Sequence, residues 1–147
     1  MIRKVIKYKD YDGNLIESEF FFALSKAECT DLDFFYEEYG GLKEYLKSLV
    51  RGKDPNDIPK KPMWDFLKVV IEKAVAKRPY GKKFLVKNEE VHDEFFYTDA
   101  FSEFIEELFD TPDSIPAFME GVLPDIPKED MDKAKAELEK EGIKLPN

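Results

Sequence analysis

The sequence predicts an α+β fold, mainly α with an N-terminal β-hairpin, in a compact domain of about five to seven helices. Three observations carry this. Apolar and charged residues alternate over the first 24 residues. Several later segments place apolar residues at i, i+3, i+4 and i+7. Gly and Pro punctuate the chain between those segments. The expected organisation is one domain over 1–147, with the hairpin in 1–24, a helical core in 25–124 and a C-terminal helix or tail in 125–147.

In the hairpin, Ile6 and Tyr8 alternate with Lys7 and Lys9, and Ile16, Phe20, Phe22 and Leu24 with Glu17 and Glu19. Asp12-Gly13-Asn14 is the turn signal. Matching the two faces pairs Ile6 with Phe20, Tyr8 with Ser18, Lys7 with Glu19 and Lys9 with Glu17, so that opposite charges meet on the wet side. A bare hairpin is marginal in water, so helices must cover its aromatic face.

Ser25-Lys26-Ala27-Glu28 is a capping box, with Leu24 and Cys29 at the staple positions. It predicts a first helix from Lys26 to about Glu38, ended by Gly40-Gly41. Leu42, Tyr45, Leu46, Leu49 and Val50 form the next helical stripe. Residues 52–62 contain Pro55, Pro59 and Pro62 and read as a loop. Residues 63–77 read as the most apolar helix, lined by Met63, Phe66, Leu67, Val70, Ile71 and Ala74.

Arg78-Pro79-Tyr80-Gly81 breaks that helix, and Phe84-Leu85-Val86 is extended. Asn88 caps a short helix through Val91 and Phe95, and Thr98 caps the next, with Asp99 at its positive end. Phe101, Phe104, Ile105, Leu108 and Phe109 repeat the helical spacing, and so do Ile115, Phe118, Met119, Val122 and Leu123 after Thr111-Pro112-Asp113. Pro124 stops that helix. A last one, Pro127 to Glu141, has a thin apolar stripe of Met131, Ala134 and Leu138.

Composition narrows the function. There are 13 Phe, 7 Tyr and one Trp, and charged residues make up 37%, a globular balance. The net charge of −9 argues against a general nucleic-acid binder. Lys60-Lys61 and Lys82-Lys83, beside Tyr80 and Phe84, are the weak hint in that direction. Residues 51–87 carry net +7 and residues 88–127 net −12. Such blocks fit two helical layers that attract each other, or an acidic face for a basic partner. Cys29 is the single cysteine, so no internal disulfide forms, which fits a reducing cytosol. No apolar run approaches the ~20 residues of a membrane span, and the N-terminus lacks a signal-peptide core.

Bond-making chemistry is poorly provided for. His92 is the only histidine, and Ser102 suggests no triad with it. Glu89 and His92 have the i, i+3 spacing of a di-iron bundle, but a second histidine is missing. No loop matches a nucleotide or calcium pattern. We therefore expect no cofactor, no metal and no catalysis. The residual enzyme reading would rest on Glu89, Glu90, Asp93 and Glu94. What remains is apolar helical surface suited to partner helices. The expected partner-binding residues are Phe118, Met119, Val122 and Leu123, with core packing as the competing role for the same side chains.

The order of motifs resembles a known family. An aromatic strand leads into Ser25-Lys26-Ala27-Glu28, and an acidic stretch into Gly40-Gly41-Leu42. An apolar helix and Tyr80-Gly81-Lys82-Lys83-Phe84 follow. Then come Phe95, Thr98-Asp99-Ala100-Phe101-Ser102-Glu103, Leu108, Ala117-Phe118 and Gly121-Val122-Leu123-Pro124. Over residues 1–124 this is similar to the tail assembly chaperones of long-tailed bacteriophages and prophages. The resemblance implies binding of the tape measure protein, recruitment of tail tube protein, action in the host cytoplasm and absence from the mature virion. A frameshifted longer form is usual in that family, and no binding residue carries over. Homo-oligomer formation stays open, as does the alternative of a structural or adaptor subunit of the tail. The prolines of 52–62 and the tail after Pro124 depart from the family pattern.

Overall fold

A computed structural model describes residues 1–52, 57–111 and 113–124. It has an N-terminal antiparallel hairpin followed by helices, the α+β class expected. The strands are β1 (Ile2–Lys9), β2 (Leu15–Phe22) and β3 (Val75–Ala76), in the order β1-β2-β3. The helices are α1 (Lys26–Phe35), α2 (Leu42–Val50), α3 (Lys60–Ala74), α4 (Glu89–Phe96), α5 (Ala100–Asp110) and α6 (Ser114–Val122), with a 3-10 turn at Glu37–Tyr39. The last helix expected over Pro127 to Glu141 lies outside the described residues, as do residues 53–56 of the proline loop.

The hairpin register differs from the expected one by two residues. Ile6 lies opposite Ser18, Lys7 opposite Glu17, Tyr8 opposite Ile16 and Lys4 opposite Phe20. Face matching cannot distinguish registers two residues apart, because side chains alternate with period 2. The turn decides. The Asp10 carboxylate accepts from the N–H groups of Asp12 and Asn14 at 3.0 and 2.8 Å, and the Gly13 N–H donates to the Asp10 carbonyl. Gly13 stands at φ +84°, where a Cβ is disfavoured, so the loop closes tightly. The expected register would centre the turn on Gly13 rather than on Asp12, whereas these bonds belong to the observed turn.

The described residues group into two compact units. The first comprises Met1–Ala23 and Ala74–Val122. Here α4, α5 and α6 cover one face of the hairpin, and β3 adds to β2 through Phe21↔Ala76 and Phe22↔Val75. Val75 was expected inside a helix. Its β-branched side chain is buried in the third strand instead, because two open hydrogen-bonding positions on β2 are satisfied there. Lys77 and Val86 continue the extension with reciprocal backbone bonds of 3.0 and 2.7 Å.

The core of this unit is aromatic. Phe22 stacks on Phe104 at 4.4 Å and 10°, and meets Phe95 and Phe118 edge-on at 5.5 and 6.0 Å. Phe20 meets Phe95 at 5.1 Å. Offset-stacked and edge-to-face pairs are the favourable geometries, because each ring has a negative face and a positive rim. Asn88 caps α4 as expected, its Oδ1 accepting from the Val91 N–H at 2.9 Å. The backbone cap of α5 is Asp99 rather than Thr98. The Thr98 hydroxyl still serves the junction, donating to the Glu94 carbonyl and accepting from the Ala100 N–H.

The second unit comprises the described residues of Leu24–Lys73 with Leu123 and Pro124. The capping box forms as read: Ser25 Oγ accepts from the Glu28 N–H at 3.1 Å, and Glu28 Oε1 accepts from the Ser25 N–H at 2.9 Å. The first helix stops at Phe35, three residues short of expectation, and tightens into the 3-10 turn before Gly40 at φ +91°. Asp33 Oδ1 then caps α2 from outside, accepting from the Leu42 N–H at 2.9 Å. α3 begins at Lys60, three residues early, since Pro62 in the first turn forfeits no intrahelical bond. Its Met63, Phe66, Leu67, Val70 and Ile71 are all buried.

Candidate partner-binding surface

Three of the four partner residues expected from sequence are buried. Phe118 packs against Phe22 and Phe104, and Met119 and Val122 are also in the core. Leu123 is half-buried in the bend that follows α6. The helix is held at its end. The Met1 ammonium donates to the Gly121 carbonyl at 2.7 Å. A Cβ on Gly121 would lie 2.6 Å from Ile2 Cγ1, so glycine lets α6 close onto β1. A partner can reach this stripe only if α6 lifts away.

Two of the four acidic residues weighed for chemistry, Asp93 and Glu94, have structural partners. Glu94 accepts from Ser18 Oγ at 2.8 Å and pairs with Lys77 Nζ at 3.1 Å. Lys77 in turn lies 4.1 Å from the Phe20 ring centroid, a cation–π contact. The pair holds the end of β3 to α4. Burial pushes the Tyr8 phenol upward, and the Glu94 charge adds to it. The His92 ring lies 3.1 Å from Asp93 Oδ1 and packs on Phe96 and Tyr97 at 4.8 and 5.7 Å. Among the described residues no group of three His, Cys, Asp or Glu is placed to hold a metal ion. Cys29, the single cysteine, is half-buried.

Large apolar side chains do reach solvent elsewhere. At the end of α1 and in the 3-10 turn, Phe34 and Phe35 are each 68% exposed and Tyr39 is 56% exposed. They adjoin an ordered run of rings. Phe35 meets Tyr36 edge-on at 4.9 Å, Tyr36 stacks on Tyr45 at 4.4 Å and 10°, and Tyr45 meets Tyr39 at 4.6 Å. Phe66 of α3 backs both inner tyrosines at 5.7 Å. The buried Tyr36 phenol is pushed up to about 12, chiefly by burial, with Tyr45 and Asp65 adding to it. Residues 27–42 around these rings include Glu28, Asp31, Asp33, Glu37 and Glu38 and not one Lys or Arg.

This surface was missed from sequence, although a signal for it exists. Successive helical positions are about 100° apart, so with Leu32 buried, Phe34 and Phe35 cannot both turn inward. Tyr80 sits with Arg78, Lys82 and Lys83 beside Glu19 and Phe21 around an open depression, and Phe84, next in the chain, is exposed as well.

The molecule is thus an α+β protein whose acidic groups are structural or solvated and whose conspicuous surface feature is exposed aromatic side chains, the makings of a protein-binding module. The chain belongs to the phage tail assembly chaperones: the model of that family matches residues 1–144. Proteins of this family are host-cell assembly factors that act on phage tail proteins rather than enzymes. No curated protein and no solved structure matches the chain. Among the described residues no helix is long and apolar enough to cross a membrane.

Proposed function

We propose that this chaperone binds the tape measure protein, keeps it soluble and helps recruit tail tube subunits to it. It does so in the cytoplasm of the bacterial host and is left out of the mature virion. The observation that supports this reading is family membership over nearly the whole chain. The exposed rings of Phe34, Phe35 and Tyr39 provide a physical means. A tape measure protein is long and helical, and its apolar stripes aggregate unless they are covered. Reversible burial of such a stripe removes apolar surface from water, and the net charge of −9 keeps the complex soluble.

The test is co-expression with the tape measure protein of the same phage. A clear rise in the client's soluble fraction, with the two proteins co-purifying, is expected. An unchanged fraction alongside well-folded chaperone overturns the proposal. Mass spectrometry of purified particles separates an assembly factor from a tail subunit, since only a subunit persists there. The α6 stripe of Phe118, Met119, Val122 and Leu123 enters this scheme as a second client surface if α6 opens. Faster hydrogen exchange in 114–122 on client binding would support that role, and greater protection would count against it.

A further inference from the structure

We propose that the ring surface formed by Phe35 and Tyr39, with Phe34 beside it, docks an amphipathic client helix whose apolar face is flanked by Lys or Arg. The inference rests on the proposed client-binding function and specifies where the client binds and with what chemistry.

The area is sufficient for a small, specific contact. An aromatic side chain offers ~150–250 Å² for burial. At the exposures of Phe34, Phe35 and Tyr39, about 400 Å² of mostly apolar ring surface faces water. That is in the size range of functional patches on soluble proteins. The surface is also preorganised. Phe35 and Tyr39 are the open ends of a run whose inner members, Tyr36 and Tyr45, are stacked and backed by Phe66. A partner settling there loses little to ordering this side of the contact.

Charge indicates which helix fits. A helix C-terminus carries partial negative charge and normally attracts Lys or Arg nearby. The last turn of α1 has no basic residue, nor has the 3-10 turn after it. Glu37 and Glu38 add to the negative potential there, and among the described residues neither is paired with a cation. Asp31 is satisfied by Lys73 at 3.3 Å, and Asp33 by the Leu42 N–H. The uncompensated charge therefore lies on Glu37 and Glu38, beside the exposed rings. A cationic flank on the incoming helix neutralises it, whereas an acidic flank is repelled. Anchors at i, i+3 or i+4 on such a helix would span the ring surface.

The experiment uses the full chain and synthetic peptides of about 25 residues that tile the tape measure protein of the same phage, read by fluorescence anisotropy. The variants are Phe35→Ala with Tyr39→Ala, and separately Glu37→Lys with Glu38→Lys, which leaves the rings intact. Tyr11→Ala, at the exposed hairpin turn, is the control. Circular dichroism checks that each is folded. The wild type is expected to select apolar peptides with basic flanks. The ring variant should lose about tenfold or more in affinity, the charge variant should lose affinity and its salt dependence, and Tyr11→Ala should match wild type. If the charge variant alone is folded, its loss of affinity and salt dependence decides. Client solubilisation and peptide binding that are unchanged in both variants would overturn this site while leaving the proposed function intact. Absence of any peptide binding or solubilisation by wild type would overturn both. A concentration-dependent dimer that the ring variant abolishes would assign the surface to a second copy and overturn the client assignment.

Discussion

Replacing Phe22 by Ala removes the ring on which the first unit converges. Phe22 is fully buried and lies within 6.0 Å, centroid to centroid, of Phe95, Phe104 and Phe118. Truncation exposes or empties roughly 150 Å² of apolar contact, about 4 kcal/mol at ~25 cal/mol per Å². Buried Phe→Ala changes cost ~3–5 kcal/mol, because a cavity term adds to transfer and partial collapse offsets it. We expect a loss of about 4 kcal/mol, a large part of the ~5–15 kcal/mol that holds a domain folded. Phe22→Leu, which keeps most of the volume, should cost only ~1–1.5 kcal/mol. Phe34→Ala, at an exposed ring, should stay within about 0.5 kcal/mol of wild type. The assay is urea unfolding followed by far-UV circular dichroism, with the midpoint converted through an unchanged m-value. A loss below about 1.5 kcal/mol for Phe22→Ala, or a loss for Phe34→Ala of the same size, would refute the placement of these rings.

Other perturbations test other links. Asn88→Ala leaves the Val91 N–H without its acceptor and should cost about 1 kcal/mol in the same urea assay, with Asn88→Asp close to neutral. Lys77→Met removes the ammonium from Glu94, Ser18 and the Phe20 ring, and should cost about 1–2 kcal/mol after discount for partial exposure. A double-mutant cycle with Glu94→Gln should then return a favourable coupling near 1 kcal/mol. The folded state keeps the Tyr36 phenol neutral, so the stability this supplies is complete below pH 10 and is lost as pH rises through about 12. Alkaline unfolding followed by tyrosinate absorbance should therefore be shallower over that window in Tyr36→Phe, and identical curves would contradict the assignment. Urea unfolding of the whole chain, followed by Trp64 fluorescence and by circular dichroism, should give coincident transitions if residues 1–147 fold as one domain.

Local chemistry was legible in the sequence wherever a signal is carried by residues a few positions apart. The Ser25–Glu28 box, the Asn88 cap, the break at Gly40 and the alternation of β1 all act within a turn of the chain, so their side chains declare them. The α+β class followed from these and from the helical stripes. The family resemblance was likewise legible over most of the chain, because an ordered set of motifs survives in one dimension. The exposed rings of Phe34, Phe35 and Tyr39 were not, because a helical stripe records that one face is apolar but not whether that face meets the core or water.

Tertiary structure decided the rest. The hairpin register turned on the Asp10 hydrogen bonds, since face alternation is blind to a shift of two. Val75 left the helical pattern because β2 offered backbone partners from more than 50 residues away. The stripe of Phe118, Met119 and Val122 was drawn inward by Phe22 and Phe104, whereas Phe34, Phe35 and Tyr39 stayed in water. By itself the sequence determined which faces are apolar, where helices start and stop, and the family to which the chain belongs. Which of those faces is buried depends on contacts between distant segments, and such contacts exist only once the chain has folded.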